Sequence, residues 1–233
     1  MKTISRLALL LAPVLLVACQ KKEPVAAPAV VVPAPVAAPA AAPTAAAPAA
    51  PAAVDPASMT AEQRDQAEKQ ERFDYGAMED KYINDPRAQW ASGASASSTY
   101  GDPKPDEGNL PKTSAVGPVD GKHWINNNQE IGFDWLAVDY AKPVAATEVR
   151  LVIEDGRGIE ALSKVELQDT DGKWNTIWTG LSDVKQDHRG ARTWFVRTFP
   201  KTAYKVKTVK YTFANNVQRG YKYVDAAQLI GDQ

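Results

Sequence analysis

Few side chains in this sequence have the chemistry needed for catalysis or for metal binding. Cys19 is the only cysteine, and His123 and His188 are the only histidines. The chain therefore has few residues that could form a metal cluster or a histidine-paired nucleophile. No glycine-rich phosphate loop or Gly-x-Ser-x-Gly motif occurs. The acidic pair Glu154-Asp155 precedes a glycine, where turn formation explains it. The sequence therefore predicts a protein that is not an enzyme.

The sequence around Cys19 points to a specific covalent modification of its thiol. It follows a basic start, with Lys2 and Arg6, an apolar segment from about residue 7 to 17, and Ala18. These are the features of a secretory signal, and the apolar segment is shorter than the about 20 residues of a transmembrane helix. We therefore predict a signal peptide at 1–18 and a lipoprotein whose Cys19 carries diacylglycerol and palmitate, which anchor it in a membrane.

The residue after the cysteine bears on the destination of this anchor. In lipoproteins of two-membrane bacteria an aspartate at this place commonly signals retention in the inner membrane, and the present chain has Gln20. By resemblance to that pattern, the outer membrane is favoured. The sequence leaves open whether the protein faces the periplasm or the medium.

Two polar loops offer hydrogen-bond donors for a ligand. Sugar binding uses amide or arginine donors to hydroxyls, and an aromatic ring for the apolar side of the sugar. The run 126–129 supplies amides, the run 187–192 supplies arginines, and Trp178, Trp194 or Tyr221 can supply the ring. The predicted ligand residues are Asn126, Asn127, Asn128, His188, Arg189, Arg192 and Trp194. The alternative for any one of them is a role in a turn or in the core.

The elements that position these loops follow a long linker and a helix. Ala and Pro fill most of 24–57, and because proline interrupts helices, 19–57 is predicted to be a lipidated N-terminus and disordered linker. Thr60 and Gln63 resemble a capping box, which predicts a helix over 61–82 in a charged segment at 58–84. Its second half is expected to dock on the domain, through Phe73, Ala77, Met78, Tyr82 and Ile83.

The globular domain is predicted at 85–233, because all six Trp and all fourteen Gly follow residue 75. Asp171-Gly172 predicts a hairpin with a type I′ turn. No long amphipathic helix separates the strands, so we expect an all-β fold, an antiparallel β-sandwich. Seven segments have the period-two pattern of strands: 135–140, 148–153, 164–168, 174–178, 193–199, 207–213 and 224–230. Two strand faces, one with Leu136, Val138 and Tyr140 and one with Val149, Leu151 and Ile153, are expected to face each other across the sandwich.

Charge limits the class of partner. Lys and Arg number 27 against 28 Asp and Glu, a formal net charge of −1, so nucleic acid is not an expected partner. Lys205, Lys207 and Lys210 in a late strand are predicted to face solvent or to protect an edge. A basic patch for anionic glycans remains the alternative.

The order of several motifs resembles a known family. The segments are 94–100, 115–118, Trp124, 135–140, 149–151, 165–178, 206–213 and 223–231. Together they resemble a discoidin-like, coagulation-factor C-type domain over about 88–231. The resemblance implies a galactose-binding-like jelly roll that binds ligands with loops at one end and is rarely an enzyme. It also implies a structural Ca²⁺ near Asp120 and Asp225.

These observations favour a lipid-anchored, non-enzymatic binding module of the cell envelope. Its expected ligand is carbohydrate or another envelope component, held by the two polar loops, and its membrane contact is the acylated Cys19. The alternative is a protein-interaction, envelope-assembly or immunity-type inhibitor lipoprotein in the periplasm.

Overall fold

The computed structural model describes residues 58–104 and 108–232, which form two helices and nine strands. Cys19, the signal peptide and the Ala/Pro linker lie outside these residues. No described helix is long and apolar enough to cross a membrane. The elements are α1 (Ala61–Ile83), β1 (Ala88–Trp90), β2 (Gly93–Ala96), α2 (Pro111–Ser114), β3 (Trp124–Ile125), β4 (Phe133–Glu154), β5 (Leu162–Asp169), β6 (Trp174–Thr179), β7 (Arg192–Thr198), β8 (Lys205–Ala214) and β9 (Tyr223–Asp232).

Strand β4 joins the two layers of the fold. Its first half pairs with β2 and β8, and its second half pairs with β7 and β9. The register shifts between Asp139 and Val144, where Pro143 has no N–H to donate. The main path through the strands is β1-β9-β4-β8-β5-β6, and every pairing is antiparallel. The all-β antiparallel sandwich predicted from the sequence is confirmed.

The core lies between the two halves of β4. Leu136 and Val138 from the first half and Val149 and Leu151 from the second are all fully buried in one cluster. Trp124 joins this cluster, and its indole N–H donates to the carbonyl oxygen of Ser98 at 3.0 Å. The alternating pattern therefore identified the inward-facing residues correctly, because each strand buries only one face.

The strand predictions differ from the structure in two ways. The segments at 135–140 and 148–153 belong to the single strand β4, because the chain bends through Pro143 without leaving the sheet. The short strands β1, β2 and β3 were not predicted. They have two to four residues each, which is too short for a periodic pattern.

The β5–β6 hairpin is present, but its predicted type I′ turn is wrong. Such a turn needs positive φ at both central residues, and only Gly172 has it, with φ of 87°. Asp169 shapes the loop instead, because its carboxylate accepts from the N–H groups of Asp171 and Lys173 at 3.0 and 2.8 Å. This local carboxylate turn removes the need for a second positive φ.

Helix α1 begins at the predicted capping box. The Thr60 hydroxyl accepts from the Gln63 N–H at 3.2 Å, and the Gln63 side chain accepts from the Thr60 N–H at 2.8 Å. Its second half covers the outer face of the β7–β4–β9 layer. The docking prediction was wrong for Phe73, which is 71% exposed, and for Ala77, which is also exposed, whereas Tyr75 is buried.

An aromatic cluster holds the end of α1 on this layer. The Tyr82 ring lies 5.1 Å from that of Trp194, and Trp90 lies 6.5 Å from it on the other side. Met78 and Ile83 pack on the same cluster. The Trp194 indole N–H donates to Glu79 on the helix at 3.0 Å, so the contact combines apolar burial with a hydrogen bond.

Strand β8 is central, between β4 and β5. Of the two alternatives predicted for its lysines, protection of an edge is therefore wrong, because the sheet has no edge at this strand, whereas Lys205 does face solvent. Lys210 instead faces out of the β4–β8–β5–β6 layer, opposite Ala137 and Glu166.

Candidate functional site

Four loop segments meet at one end of the sandwich, which we call the loop end: 97–102, 125–132, 155–160 and 215–223. Backbone hydrogen bonds connect them. The Tyr100 N–H donates to Ile125 O at 2.8 Å, and the Gly220 N–H donates to Gln129 O at 3.0 Å. The Tyr223 N–H donates to Arg157 O at 2.8 Å. Side chains from separate parts of the sequence are thus held close together.

The carboxylate of Asp134 is the hub of the loop end. Although Asp134 is almost fully buried, five described side chains donate hydrogen bonds to it at 2.8 to 3.2 Å: Ser97, Ser98, Asn126, Asn128 and Asn215. Burial disfavours the charged form, but the bonds from Asn126, Ser97 and Ser98 outweigh it and lower the pKa of Asp134 below its usual value. The network fixes four strand ends around one charge.

The predicted amide row divides into buried and exposed members. Asn126 is fully buried, and its side-chain oxygen accepts from the Lys222 N–H at 2.8 Å. Asn128 is exposed at the surface but donates to Asp134. Asn127 is exposed and donates to the Asp102 carboxylate at 3.1 Å. Asn127 is therefore the member placed to contact a ligand, while Asn126 positions the loop.

Lys222 extends the network to the segment 215–223. Its ammonium donates to the carbonyl oxygens of Gln218 and Gly220 at 2.7 and 2.5 Å. Burial lowers the pKa of Lys222 to about 8, against the opposing charge of Asp134. The Gln218 side chain in turn accepts from the N–H groups of Gly158 and Glu160, both at 3.0 Å. These bonds hold 155–160 and 215–223 in a single arrangement.

Aromatic side chains gather beside these fixed loops. The Tyr100 ring is 48% exposed and meets Tyr221 edge to face at 5.0 Å. Nearby, Tyr223 stacks on His123 at 4.6 Å, and the Arg157 guanidinium lies 4.9 Å from the Tyr223 ring centre. The loop end thus presents aromatic surface next to amide, carboxylate and guanidinium groups.

A hollow of about 300 Å³ opens beside Tyr100. Ser98, Thr99, Asp102 and Leu110 line it. Asn127 borders the hollow through its hydrogen bonds to Ser98 and Asp102, at 3.0 and 3.1 Å. Its polar rim and neighbouring tyrosine are suited to a small polar ligand.

The second predicted loop lies beside α1. Arg189 donates to both carboxylate oxygens of Asp187, at 2.9 and 2.7 Å, and lies 5.6 Å from the Tyr75 ring centre. The Arg189 hydrogen bonds lower the pKa of Asp187. His188 and Arg189 line a hollow of about 240 Å³ with acidic and basic residues of the helix. These two predicted residues therefore belong to a surface shared with α1.

Arg192 and Trp194 have partners within the fold. Arg192 donates to Glu154 at 3.0 Å and to Asp225 at 3.4 Å. Burial and the neighbouring Asp225 carboxylate raise the pKa of Glu154. Trp194 lies under α1 and is almost fully buried. The sequence analysis gave a role in the core as the alternative to ligand binding, and the burial of Trp194 agrees with that alternative.

The structure brings the two predicted calcium residues together, but their donors do not fit the ion. The Asp225 carboxylate accepts from the N–H groups of Asp120 and Gly121 at 3.3 and 3.2 Å and faces the Arg192 guanidinium. The Asp120 carboxylate turns to Lys122 at 2.8 Å. Calcium needs six to eight oxygen ligands that converge, and within 58–104 and 108–232 no group of three or more acidic or histidine side chains does so.

Sequence reasoning did not assign a binding role to Tyr100, Tyr223 or Arg157. A local signal existed only for Arg157, which stands between two glycines in a polar loop. Gly156 and Gly158 both have positive φ, 63° and 114°, and this tight turn presents the arginine. Tyr100 reaches this end through its hydrogen bond to Ile125 O of β3, and Tyr223 through the pairing of β3 with β9.

Comparison with known proteins finds solved structures of similar shape. One is the family 32 carbohydrate-binding module of Clostridium perfringens NanJ in complex with galactose, with 15% identity, a TM-score of 0.44, and coverage of 61% of this chain and 98% of the module. Another is the F5/8 type C domain of a Bacteroides fragilis protein, with 16% identity, a TM-score of 0.46, and coverage of 64% and 99%.

A third is chitosan-binding module 1 of a chitosanase/glucanase from Paenibacillus sp. IK-5, with 17% identity, a TM-score of 0.41, and coverage of 60% and 96%. No family model matches the chain, and no curated protein matches it.

Proposed function

We propose that this chain is a non-enzymatic module that binds carbohydrate at the loop end. The observation that carries the proposal is the exposed Tyr100 ring, set against Tyr221 and beside the free face of Asn127. A sugar ring presents an apolar face of C–H groups and an edge of hydroxyls. Tyrosine binds the first, and amide and carboxylate groups bind the second.

The buried network makes this surface rigid before a ligand arrives. Asp134 and Lys222 fix the loops with hydrogen bonds whose only exposed side chains, within the described residues, are Ser97 and Asn128. A preformed site loses less conformational entropy on binding than a mobile loop does. Asn127 and Asp102 then offer donors and acceptors to hydroxyls, and Arg157 offers a guanidinium at the rim.

The loop beside α1 is part of the proposal as a second contact surface. His188 and Arg189 are exposed there, although Arg189 is already paired with Asp187. A long ligand can reach both surfaces, whereas a single sugar ring can occupy only one. The double variant Asn127→Ala with Arg189→Ala, compared with each single variant, tests whether the two loops act together.

The proposed setting is the outer membrane. Acylation of Cys19 and the Ala/Pro-rich segment would tether the binding domain away from the lipid surface. Labelling of the full chain with radioactive palmitate, lost in Cys19→Ser, tests the anchor. Protease treatment of intact and of permeabilised cells tests the side: digestion of intact cells places the domain outside, and protection until permeabilisation places it in the periplasm.

The binding proposal is tested with the full-length chain on an array of bacterial and plant glycans, followed by calorimetry with the best ligand. Tyr221→Ala is expected to weaken binding by about tenfold, which corresponds to about 1.4 kcal/mol. Phe73→Ala is the control, because it removes an exposed aromatic ring on α1, outside the loop end, and its affinity should equal that of the wild type.

Two results would overturn the proposal. One is glycan binding that is unchanged in Tyr221→Ala and in Asn127→Ala, which would put the ligand elsewhere. The other is absence of glycan binding together with stoichiometric capture of an envelope protein, which would support the protein-interaction alternative.

A further inference from the structure

The two outer faces of the sandwich differ in what covers them. Helix α1 packs on the β7–β4–β9 layer and buries Trp194. On the opposite layer, formed by the first half of β4 with β8, β5 and β6, the outward side chains surround a groove of about 610 Å³. We call this the sheet groove. It runs across the strands between Phe133 and Thr179.

Aromatic rings flank the sheet groove without a described partner element over them. Phe133 on β4 is 66% exposed, and Trp135, two residues further along the same face, lies partly open beside it. On β6, Trp174 is 37% exposed. Large exposed aromatic side chains on one face of a folded domain are a mark of binding surfaces. Their flat rings suit the C–H face of sugars.

The floor of the sheet groove carries more positive than negative charge. The Glu166 carboxylate pairs with the Lys210 ammonium at 2.9 Å and with the Lys164 ammonium at 3.2 Å. Lys210 also lies 4.2 Å from the Trp174 ring centre. Two ammonium groups thus share one carboxylate, and the floor has a net positive charge inside a protein that is slightly acidic overall. This charge favours an anionic ligand.

A ligand cannot bind in the floor of the groove by adding a strand to β8 or β5. β8 is paired on both sides, by β4 and β5, and β5 is paired on both sides, by β8 and β6. Of the four strands around the groove only β6 has a free backbone row, and that row lies on the side away from β5. A ligand in the sheet groove must therefore be held by side chains, with flat rings for apolar surface and lysines for acid groups.

We propose that the sheet groove is a second binding site and takes an acidic polysaccharide, a chain of uronic acid units. The apolar face of each sugar lies on Phe133 or Trp135, and a sugar carboxylate pairs with Lys164 or Lys210. This site is separate from the loop end, and the proposal stands whether or not carbohydrate binds there. It also assigns a use to Lys210, one of the three β8 lysines singled out in the sequence.

The test uses hexamers of galacturonate, glucuronate and mannuronate, each beside its methyl ester, with the full-length chain in calorimetry. The ester keeps the sugar chain and removes the charge. At least one acid hexamer is expected to bind about tenfold or more tighter than its ester, because charge-assisted hydrogen bonds are stronger than neutral ones. If all three acids bind no better than their esters, the proposal is wrong.

Variants locate the site. Lys164→Gln keeps a donor toward Glu166 and removes one charge, and it should weaken acid binding by about tenfold without changing binding of the ester. Lys142→Gln is the matched control, an exposed lysine at the bend of β4 outside the groove, and it should bind as the wild type does. Loss of acid binding in Tyr221→Ala, with retention in Lys164→Gln, would place the acid at the loop end and overturn the proposal.

Amide chemical shifts give a readout that does not depend on variant folding. Addition of the acid hexamer to the wild-type chain is expected to shift the amides of Ser163, Thr179 and Thr212, which border the sheet groove. Shifts confined to 97–102 and 125–132 would contradict the assignment.

Discussion

A single buried carboxylate, Asp134, organises the loop end. Five side chains donate to it, and its charge lies close to the buried Lys222. A buried charge is tolerable only when its hydrogen bonds are made. The segments 97–102, 125–132 and 215–223, which present Tyr100 and Asn127, therefore depend on one buried residue, and Gln218 links 155–160 to them.

We predict that Asp134→Asn lowers the free energy of unfolding by about 3 kcal/mol, because its amide cannot accept from all of these donors and leaves buried groups unpaired. Urea unfolding at pH 7 measures the change. Asp139→Asn on the same strand is the control. Asp139 is exposed and accepts one side-chain hydrogen bond, from Thr208 at 2.6 Å, so its cost should be below about 1 kcal/mol.

The same residue predicts a dependence on pH. Because the folded-state pKa of Asp134 is lowered, its stabilisation is present above the unfolded value of about 3.9 and is lost as the pH falls through the lower folded value. Asp134→Asn lacks this contribution, so its stability should fall less steeply than that of the wild type on acidification below about pH 4. Parallel curves for the two proteins would contradict the assignment of this charge.

At the scale of elements, α1 is fastened to the sandwich by close contacts in its second half. The Tyr75 hydroxyl lies 2.6 Å from Arg192 O and 3.0 Å from the Glu79 carboxylate. Its ring lies directly against Gly190, with no room for a Cβ at that position. Contact with Tyr75 of α1 therefore accounts for the glycine at position 190, without a role in ligand binding.

We predict that Gly190→Ala loosens α1 and costs about 1 to 3 kcal/mol, because the new methyl group collides with a rigid ring. Hydrogen exchange should speed up at the amides of α1 and stay unchanged in β8. Gly76→Ala is the control within the same helix. It has nothing within 4 Å of the added atom, and it should stabilise the helix by up to about 1 kcal/mol. Equal exchange in Gly190→Ala and the wild type would show that Tyr75 does not fasten the helix.

At the scale of the whole molecule, β4 runs through both layers, and its second half pairs with β9. The two strands pair from Ala145 with Asp232 to Ile153 with Val224, and Gly231 pairs with Ala146 next to a register shift. A Cβ at Gly231 would lie 2.8 Å from Ala146 Cα and still closer to Ala145 O. Neither backbone atom can move without separating the strands.

We therefore predict that Gly231→Ala destabilises the fold as a unit, by about 2 to 4 kcal/mol. Thermal unfolding followed by circular dichroism and by tryptophan fluorescence should give the same lowered midpoint. Gly93→Ala is the control, because its nearest neighbour is the Asp139 side chain at 3.3 Å, which can rotate away. A midpoint for Gly231→Ala as high as that of Gly93→Ala would mean that this close approach is relaxed in solution.

The sequence by itself determined the longer strands and their inward faces. Alternation marked Leu136, Val138, Val149 and Leu151 as core residues, because a strand exposes its two faces in turn. It also determined the start of α1, since the Thr60 and Gln63 cap is a contact between residues three apart. Features built from neighbours in the chain are readable without a fold.

Only the tertiary structure decided which side chains meet. Asn126, predicted to contact a ligand, is buried against Asp134 and Lys222. Tyr100 and Tyr221 lie 121 residues apart in the chain, and no local pattern joins them, yet their ring centroids are 5.0 Å apart. Likewise the sheet groove forms from four strands whose order differs from their order in the chain. Contacts between distant segments depend on strand pairing and on the bend of β4, and neither is encoded in local periodicity.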